Sequence, residues 1–256
     1  TSSGQATFTH GLLPGSPALD AIPGGSCPLS TDQRGVARPQ GAACDIGSFE
    51  GQGYILSLTG GNNQSTAVDT ALPAPLQVSL TFSGTTNGVP GQIITFTAPG
   101  IGASLSDTSI TATTSLTGLA SITPTVNGVA GSYVVTASTP AAGEGVAFNL
   151  ENLPIYTLAT ATVGDGSGSV TPGGAYVTGS VVTITATAST GSIFTGWTGD
   201  ASGTVNPLTV TMDSAKSITA TFDLLTYTLS IATDGTGRGA VTAVPDQASY
   251  DYGTVV

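Results

Sequence analysis

The sequence predicts an all-β protein built from several small modules. Runs of alternating apolar and hydroxyl-bearing residues, typical of half-buried strands, recur along the chain between turns that contain glycine or proline. No stretch has the longer period of an amphipathic helix. A segment that extends from Tyr156 to Phe222 begins again at Tyr227, which indicates tandem repeats in an extended array.

The composition limits the classes of partner. Among 256 residues there are 4 Lys+Arg and 15 Asp+Glu, which gives a formal net charge of -11. Nucleic acids and anionic membranes are therefore disfavoured as partners, because both need clustered cations. No apolar run is long enough to span a bilayer, so we predict no membrane insertion. The chain does not begin with a signal peptide, and we interpret Thr1 as an internal cut or processing point.

Residues 1–52 form a loop-rich segment in which glycine and proline interrupt every potential helix. The segment contains both cysteines of the chain, Cys27 and Cys44. A disulfide between them would indicate an oxidising compartment, and two buried free thiols are the alternative. A tetrahedral zinc site needs four nitrogen or sulfur ligands, and the chain has a single histidine, His10, so we predict no metal site.

This segment resembles the C-terminal cap of bacterial right-handed parallel β-helix proteins. The resemblance lies in the strings SPALD (16–20), DQRG (32–35), RP (38–39) and CDIGSFE (44–50). In that family the cap closes the solenoid, so the resemblance implies a β-helix upstream. Arg34 and Arg38 lie among Asp20, Asp32 and Asp45, which indicates Arg–carboxylate pairing across the loop.

Residues 53–152 have the spacing of an immunoglobulin-like β-sandwich. Short alternating runs separated by turn signals such as Asn87-Gly88 and Asn127-Gly128 are typical of that architecture. The predicted strands are 76–82, 92–98, 109–113, 120–126, 133–137 and 146–150.

The same region resembles the bacterial Ig-like domains of the invasin and intimin type. The matching strings are NGVPG (87–91), ITFTA (94–98), GLA (118–120) and AGSYVVTA (130–137). Domains of this type are stalk segments that hold an adhesive tip away from the cell. They have no catalytic residues that could be assigned to positions of this sequence. The resemblance therefore implies a structural module.

Residues 153–224 form the first copy of the repeat, and residues 225–256 form a partial second copy. The shared strings are YTL (156–158 and 227–229), a glycine turn (166–168 and 237–239), VT (170–171 and 241–242) and G-S/T-VV (179–182 and 253–256). The first copy resembles the divergent InlB B-type repeats of bacterial surface proteins. Its predicted strands are 156–161, 175–177, 181–187, 208–211 and 218–222, and those of the second copy are 228–232 and 250–256.

We predict no catalytic residues. A hydrolase triad needs a base beside its nucleophile, and His10 has no anchored partner in the sequence. The carboxylates occur singly at turns, which is typical of solvated loop residues rather than of a glycosidase pair. We predict no cofactor, although a calcium ion that stiffens a joint is an alternative for the turn and loop aspartates. These are Asp165, Asp200, Asp213 and Asp234.

Two further features are candidates for binding. Trp197 is the only tryptophan, and an exposed indole could stack on a sugar. The string FTGW (194–197) follows an apolar strand, which favours a core position instead. The second candidate is the last strand of the partial repeat, with Tyr250, Tyr252, Val255 and Val256, which could pair with another subunit by strand addition.

Together these features predict a structural stalk or fibre segment of a bacterial cell-surface adhesin or extracellular filament. Its partners would be neighbouring modules or copies of itself, and a host or matrix glycan or protein. The predicted location is extracellular, on the cell surface or secreted. The alternative is an accessory spacer or glycan-binding region of a secreted carbohydrate-active enzyme.

Overall fold

A computed structural model of the chain describes residues 12, 16–23, 26–40, 43–51, 53–83, 86–140 and 142–256. The regular elements within these ranges are β-strands, so the all-β prediction is confirmed. His10 lies outside the described residues. Throughout the described ranges there is no apolar helix of membrane-crossing length. The chain divides into two compact units between Pro154 and Ile155.

The first unit contains a short strand pair and a two-sheet sandwich. Its strands are β1 (Ile22–Pro23), β2 (Ala43–Cys44), β3 (Tyr54–Gly60), β4 (Gln64–Ala67), β5 (Leu76–Phe82), β6 (Ile93–Thr97), β7 (Ser109–Thr113), β8 (Leu119–Ile122), β9 (Gly131–Ser138) and β10 (Val146–Leu153). Strands β1 and β2 pair with each other. One sheet has the order β3-β5-β8 and the other β4-β10-β9-β6-β7, in which β4 is parallel to β10.

The sandwich core forms because alternate residues of both sheets are apolar. Leu76, Val78 and Leu80 of β5 are fully buried, and Phe96 and Phe148 meet them from the larger sheet with ring centroids 6.1 Å apart. The residues that alternate with them, such as Gln77, Ser79 and Asn149, are polar and partly buried or exposed. The alternation seen in the sequence is therefore the pattern of a one-sided core.

A buried amide connects two loops of the sandwich, one between β6 and β7 and one between β8 and β9. Asn152, near the end of β10, is 1% exposed. Its Nδ2 lies 3.0 Å from the carbonyl oxygen of Ser104, 3.0 Å from Oδ1 of Asn127 and 3.1 Å from the carbonyl oxygen of Val129. The amide nitrogen thus faces oxygen acceptors only, which makes it a strong positioning group for these loops.

The second unit is a smaller β-module followed by a two-stranded hairpin. Its strands are β11 (Ile155–Val163), β12 (Gly168–Val170), β13 (Gly174–Val177), β14 (Val181–Ile184), β15 (Ala186–Ala188), β16 (Ser192–Gly199), β17 (Leu208–Thr211), β18 (Lys216–Leu224), β19 (Thr226–Tyr227) and β20 (Tyr250–Asp251). The main sheet has the order β13-β11-β18-β16, and its central pair, β11 and β18, is parallel. Three two-stranded sheets, β12-β15, β14-β17 and β19-β20, complete the unit.

The core of this module joins elements that are far apart in sequence. Leu158 of β11, Ile218 and Phe222 of β18, and Met212 are at most 1% exposed and belong to one apolar cluster. Gly168 faces the Phe222 ring so closely that a Cβ at this position would overlap it. The module is therefore held together by β18, which pairs with β11 on one side and with β16 on the other.

The prediction of a strand at 228–232 is wrong, since the structure has only β19 (Thr226–Tyr227) at the start of the second copy. In the first copy the equivalent part of β11 pairs in parallel with β18, and this pairing extends from Leu158 to Val163. No strand in the described residues pairs with residues 228–232 in that way. A strand without a partner keeps unsatisfied backbone groups, so water-exposed coil replaces it.

Candidate functional site

The second copy starts with the same strand pairing as the first. In the first copy Tyr156 of β11 lies opposite Tyr176 of β13 in an antiparallel pair. In the second copy Tyr227 of β19 lies opposite Tyr250 of β20, again antiparallel. The repeated sequence strings therefore correspond to a repeated strand pairing, and β19 and β20 form the hairpin of the second copy.

The hairpin is attached to the first module at Gly191. The Leu225 N–H donates to the carbonyl oxygen of Gly191 at 2.9 Å, and the Tyr252 N–H donates to the carbonyl oxygen of Leu225 at 2.8 Å. The ring of Tyr252 lies over Gly191, where a Cβ would overlap ring atoms. No pattern in the sequence indicates this contact, because Gly191 is far from Tyr252 along the chain and belongs to no repeated string.

The four residues of the candidate inter-subunit strand have different environments. Tyr250 is 6% exposed, pairs with Tyr227, and donates its hydroxyl to the carbonyl oxygen of Pro245 at 2.8 Å. Tyr252 follows β20 and contacts Gly191. The prediction of a strand at 250–256 is wrong beyond Asp251, because Tyr252 and Gly253 form a turn after β20. Val255 and Val256 lie outside the strands and are 88% and 50% exposed. Tyr250 is thus buried, whereas Tyr252, Val255 and Val256 are at least 48% exposed and accessible to an additional partner.

Trp197 lies in the core of the first module. It is 2% exposed, its Nε1 donates to the carbonyl oxygen of Val205 at 2.8 Å, and its ring centroid is 5.0 Å from that of Phe194. A sugar ring needs an exposed aromatic face to stack on. The buried indole therefore favours the core interpretation of the FTGW string.

In the first unit the two cysteines are joined in a disulfide, Cys27–Cys44, which closes the predicted loop. The separation of 17 residues corresponds to a loop whose cross-link contributes about 3 kcal/mol through the unfolded chain. Cys44 is fully buried beside Asp45, which is 2% exposed. The covalent bond thus anchors a loop segment that carries buried charge.

Buried carboxylates organise the backbone of this loop. Asp45 accepts the N–H of Asp20 at 2.7 Å and that of Gly51 at 2.6 Å. Glu50, 1% exposed, accepts the N–H of Gln40 at 3.0 Å and that of Asp45 at 3.1 Å. These carboxylates accept hydrogen bonds from backbone N–H groups of the loop, in place of the carbonyl acceptors that a neighbouring β-strand would provide.

The predicted Arg–carboxylate pairing occurs with one difference. Arg34 pairs with Asp32, with Nη2 2.6 Å from Oδ2, and its guanidinium also lies 3.6 Å from the centre of the Phe49 ring. Arg38 pairs with Glu50 at 3.4 Å. Sequence reasoning did not single out Glu50, because a glutamate at the end of a loop carries no sign of burial.

Asp32 is the acid most strongly perturbed in the loop. Burial alone would raise its pKa. Hydrogen bonds from the N–H groups of Glu50, Val36 and Arg34 and from the Arg34 side chain outweigh burial and lower the pKa from 3.8 to about 2. The ionised form of Asp32 is therefore the form that the fold stabilises.

This lowered pKa predicts a loss of stability in acid. A depressed carboxyl pKa contributes stability that is complete above the unfolded value and is lost as the pH falls through the folded value. We expect the free energy of unfolding of the first unit to fall between pH 3.8 and about 2, measured by urea unfolding with near-UV circular dichroism. Asp32→Asn should be less stable at neutral pH and should lack this component of the acid dependence. An equal dependence in both proteins would contradict the assignment.

The aspartates considered for calcium are engaged separately. Asp200 accepts the N–H of Ser217 at 2.6 Å, Asp213 pairs with Lys216 at 2.6 Å, and Asp234 accepts the N–H of Gly235 at 2.7 Å. Within the described ranges no group of three or more His, Cys, Asp or Glu side chains could hold a metal ion.

Comparisons with known proteins give two similarities. A solved structure of the C-terminal 282-residue fragment of intimin, in complex with the intimin-binding domain of the translocated intimin receptor, is 19% identical, with a TM-score of 0.32. The match covers 64% of this chain and 63% of the length of that chain. No curated protein matches the chain. Within the second unit, residues 157–225 match the model of the divergent InlB B-repeat domain, and this module is therefore similar to the B-repeats of that family.

Proposed function

We propose that this chain is a structural segment of a bacterial cell-surface adhesin or extracellular filament, in which consecutive β-modules act as a stalk. The observation that carries the proposal is the repeated hairpin, with Tyr156 opposite Tyr176 and Tyr227 opposite Tyr250. Modules that recur in tandem extend a chain without adding a new site. The similarity of residues 157–225 to the divergent InlB B-repeat domain supports a place in this class of protein.

An extracellular location fits the chemistry of the first unit. The Cys27–Cys44 disulfide persists in an oxidising environment. In the same loop Arg34 pairs with Asp32, and Glu50 accepts hydrogen bonds from the N–H groups of Gln40 and Asp45. We propose that this loop-rich segment is the cap of an upstream β-helix, which would make the disulfide a clamp at the junction of two modules.

Electron microscopy of negatively stained native material that carries this chain tests the proposal. We expect either thin rods that project from the cell or regular filaments, with a thickness that corresponds to one small β-module. An antibody against residues 226–256 should label them along their length. A globular particle with glycan-degrading activity would contradict the stalk and favour the alternative, an accessory region of a secreted carbohydrate-active enzyme.

We also propose that copies of the chain can associate by strand addition at Val255 and Val256. Their equivalents in the first copy, Val181 and Val182, belong to β14 and pair with β17. The described residues contain no strand that pairs with Val255 or Val256. An apolar segment outside the strands can become ordered by pairing with a strand from a second copy.

Light scattering on the purified 256-residue chain tests this association. We expect a concentration-dependent rise in mass that Val255→Asp reduces, because a charge at this position would be buried in the added sheet. Leu116→Asp is a matched control, since Leu116 is 89% exposed and Val255 is 88% exposed. A monomer at all concentrations, or equal effects of the two variants, would overturn strand addition but not the stalk.

A further inference from the structure

The contact between Gly191 and Tyr252 is explained neither by the repeat pattern nor by the packing of the module core. Gly191 has a φ of +80°, and the atoms nearest to a Cβ built on it are Cδ1, Cε1 and Cγ of the Tyr252 ring. A side chain at position 191 would therefore occupy the place of the ring. Because glycine has no side chain, space remains at the start of β16, and the Tyr252 ring occupies this space.

Internal packing of the second hairpin does not explain the tyrosine. Tyr250 is the equivalent of Tyr176, and Gly253 is the equivalent of Gly179, so Tyr252 corresponds to Thr178 of the first copy. The first module thus folds with a threonine at this position. Tyr252 is 48% exposed, and the described contact of its ring is with the preceding module.

Two backbone hydrogen bonds at this contact fix the orientation of the hairpin relative to the first module. Gly191 accepts the N–H of Leu225, and Leu225 accepts the N–H of Tyr252, at 2.9 and 2.8 Å. The linker residue Leu225 is thereby hydrogen-bonded to both modules. With the ring seated beside the same glycine, rotation of the second hairpin about the linker would break both hydrogen bonds and the ring contact together.

We propose that Gly191 and the adjoining start of β16 form a docking surface for the following B-repeat, which presents an aromatic side chain at the position of Tyr252. The joint fixes the orientation of the second module relative to the first and makes the array stiff. The partner is thus the next repeat of the same chain, recognised by one aromatic ring and one backbone hydrogen-bond pair. This joint does not depend on whether the array serves as a stalk.

Hydrogen exchange measured by mass spectrometry on the 256-residue chain tests the joint. Gly191→Ala should raise exchange in the peptides that contain Leu225 and Tyr252 by about tenfold, as expected for the loss of a packed contact. Gly179→Ala is the matched control, because Gly179 has a φ of +78° with nothing within 4 Å of its Cβ position. It imposes the same backbone strain without reaching Tyr252 and should leave these peptides unchanged.

Variants at the tyrosine keep the test decisive if Gly191→Ala disturbs the first module. Tyr252→Ala should raise exchange in the same peptides by about tenfold, whereas Tyr252→Phe keeps the ring and should behave as the wild type. Adding Gly191→Ala to Tyr252→Ala should have little further effect, because the ring that the methyl group meets is gone. Fluorescence of Trp197 reports whether the first module stays folded. Additive effects, equal effects of Gly191→Ala and Gly179→Ala, or no effect of Tyr252→Ala would overturn the joint.

Discussion

Phe222→Ala is expected to lower the free energy of unfolding of the second unit by about 3–5 kcal/mol. Phe222 is fully buried, its ring centroid is 5.9 Å from that of Phe194, and Gly168 lies against its ring. The surrounding strands cannot close the cavity, because β18 is paired on both sides in the middle of its sheet. The loss of transfer free energy and the cavity both contribute.

The single tryptophan makes this measurement direct. Trp197 lies in the same core as Phe222, so its fluorescence during urea unfolding follows this unit. Thr221→Ala is the control, since its side chain is on the opposite face of β18 and is only partly buried. It should cost less than about 1 kcal/mol. A similar cost for both variants would mean that Phe222 does not organise the core.

Asn152→Asp is expected to lower the free energy of unfolding of the first unit by at least about 3 kcal/mol at pH 7. The wild-type Nδ2 faces the oxygens of Ser104, Asn127 and Val129 at 3.0 to 3.1 Å. The variant replaces this donor with an oxygen, so a buried carboxylate would face three acceptors without a hydrogen to share. Urea unfolding followed by near-UV circular dichroism measures the change.

The carboxyl introduced by Asn152→Asp should affect stability with a pH dependence opposite to that of the native Asp32 carboxyl, which stabilises the fold when ionised. Burial and the facing oxygens favour the neutral form of the introduced carboxyl and raise its pKa above the ordinary range. A protonated carboxyl can donate to one of the oxygens, so the difference from wild type should be smallest at low pH and grow as the pH rises. Asn149→Asp is the matched control, because Asn149 is exposed on the same strand. Equal costs at the two positions would contradict the role of Asn152.

Alternation in the sequence was sufficient to predict many strands. The predicted bounds 76–82, 109–113 and 208–211 are those of β5, β7 and β17. The prediction failed where alternation is interrupted. Strand β16 (Ser192–Gly199) was not predicted, since its register shifts between Phe194 and Gly196. The run 181–187 was predicted as one strand, but it is divided between β14, which pairs with β17, and β15, which pairs with β12.

The loop-rich segment was predictable only at the level of composition. Its cysteines and arginines stand out in the sequence, and the disulfide and the Arg34–Asp32 pair follow from them. The burial of Glu50 does not, because it depends on backbone donors from Gln40 and Asp45 that only the folded loop brings to the carboxylate. The proposed β-helix cap and stalk remain predictions for the experiments above.

By itself, the sequence determined the all-β class, the alternation that creates one-sided cores, and the repeat that starts again at Tyr227. These properties are local, because the period of side chains along a strand is set by the backbone alone. The tertiary structure decided which strands pair, including the parallel pair of β11 and β18. It also decided which glycines contact an aromatic ring from a residue that is distant in sequence. Contacts such as those of Gly191 with Tyr252 and of Asn152 with two loops join residues that are distant along the chain. They exist only after packing has brought those residues together, so no local pattern encodes them.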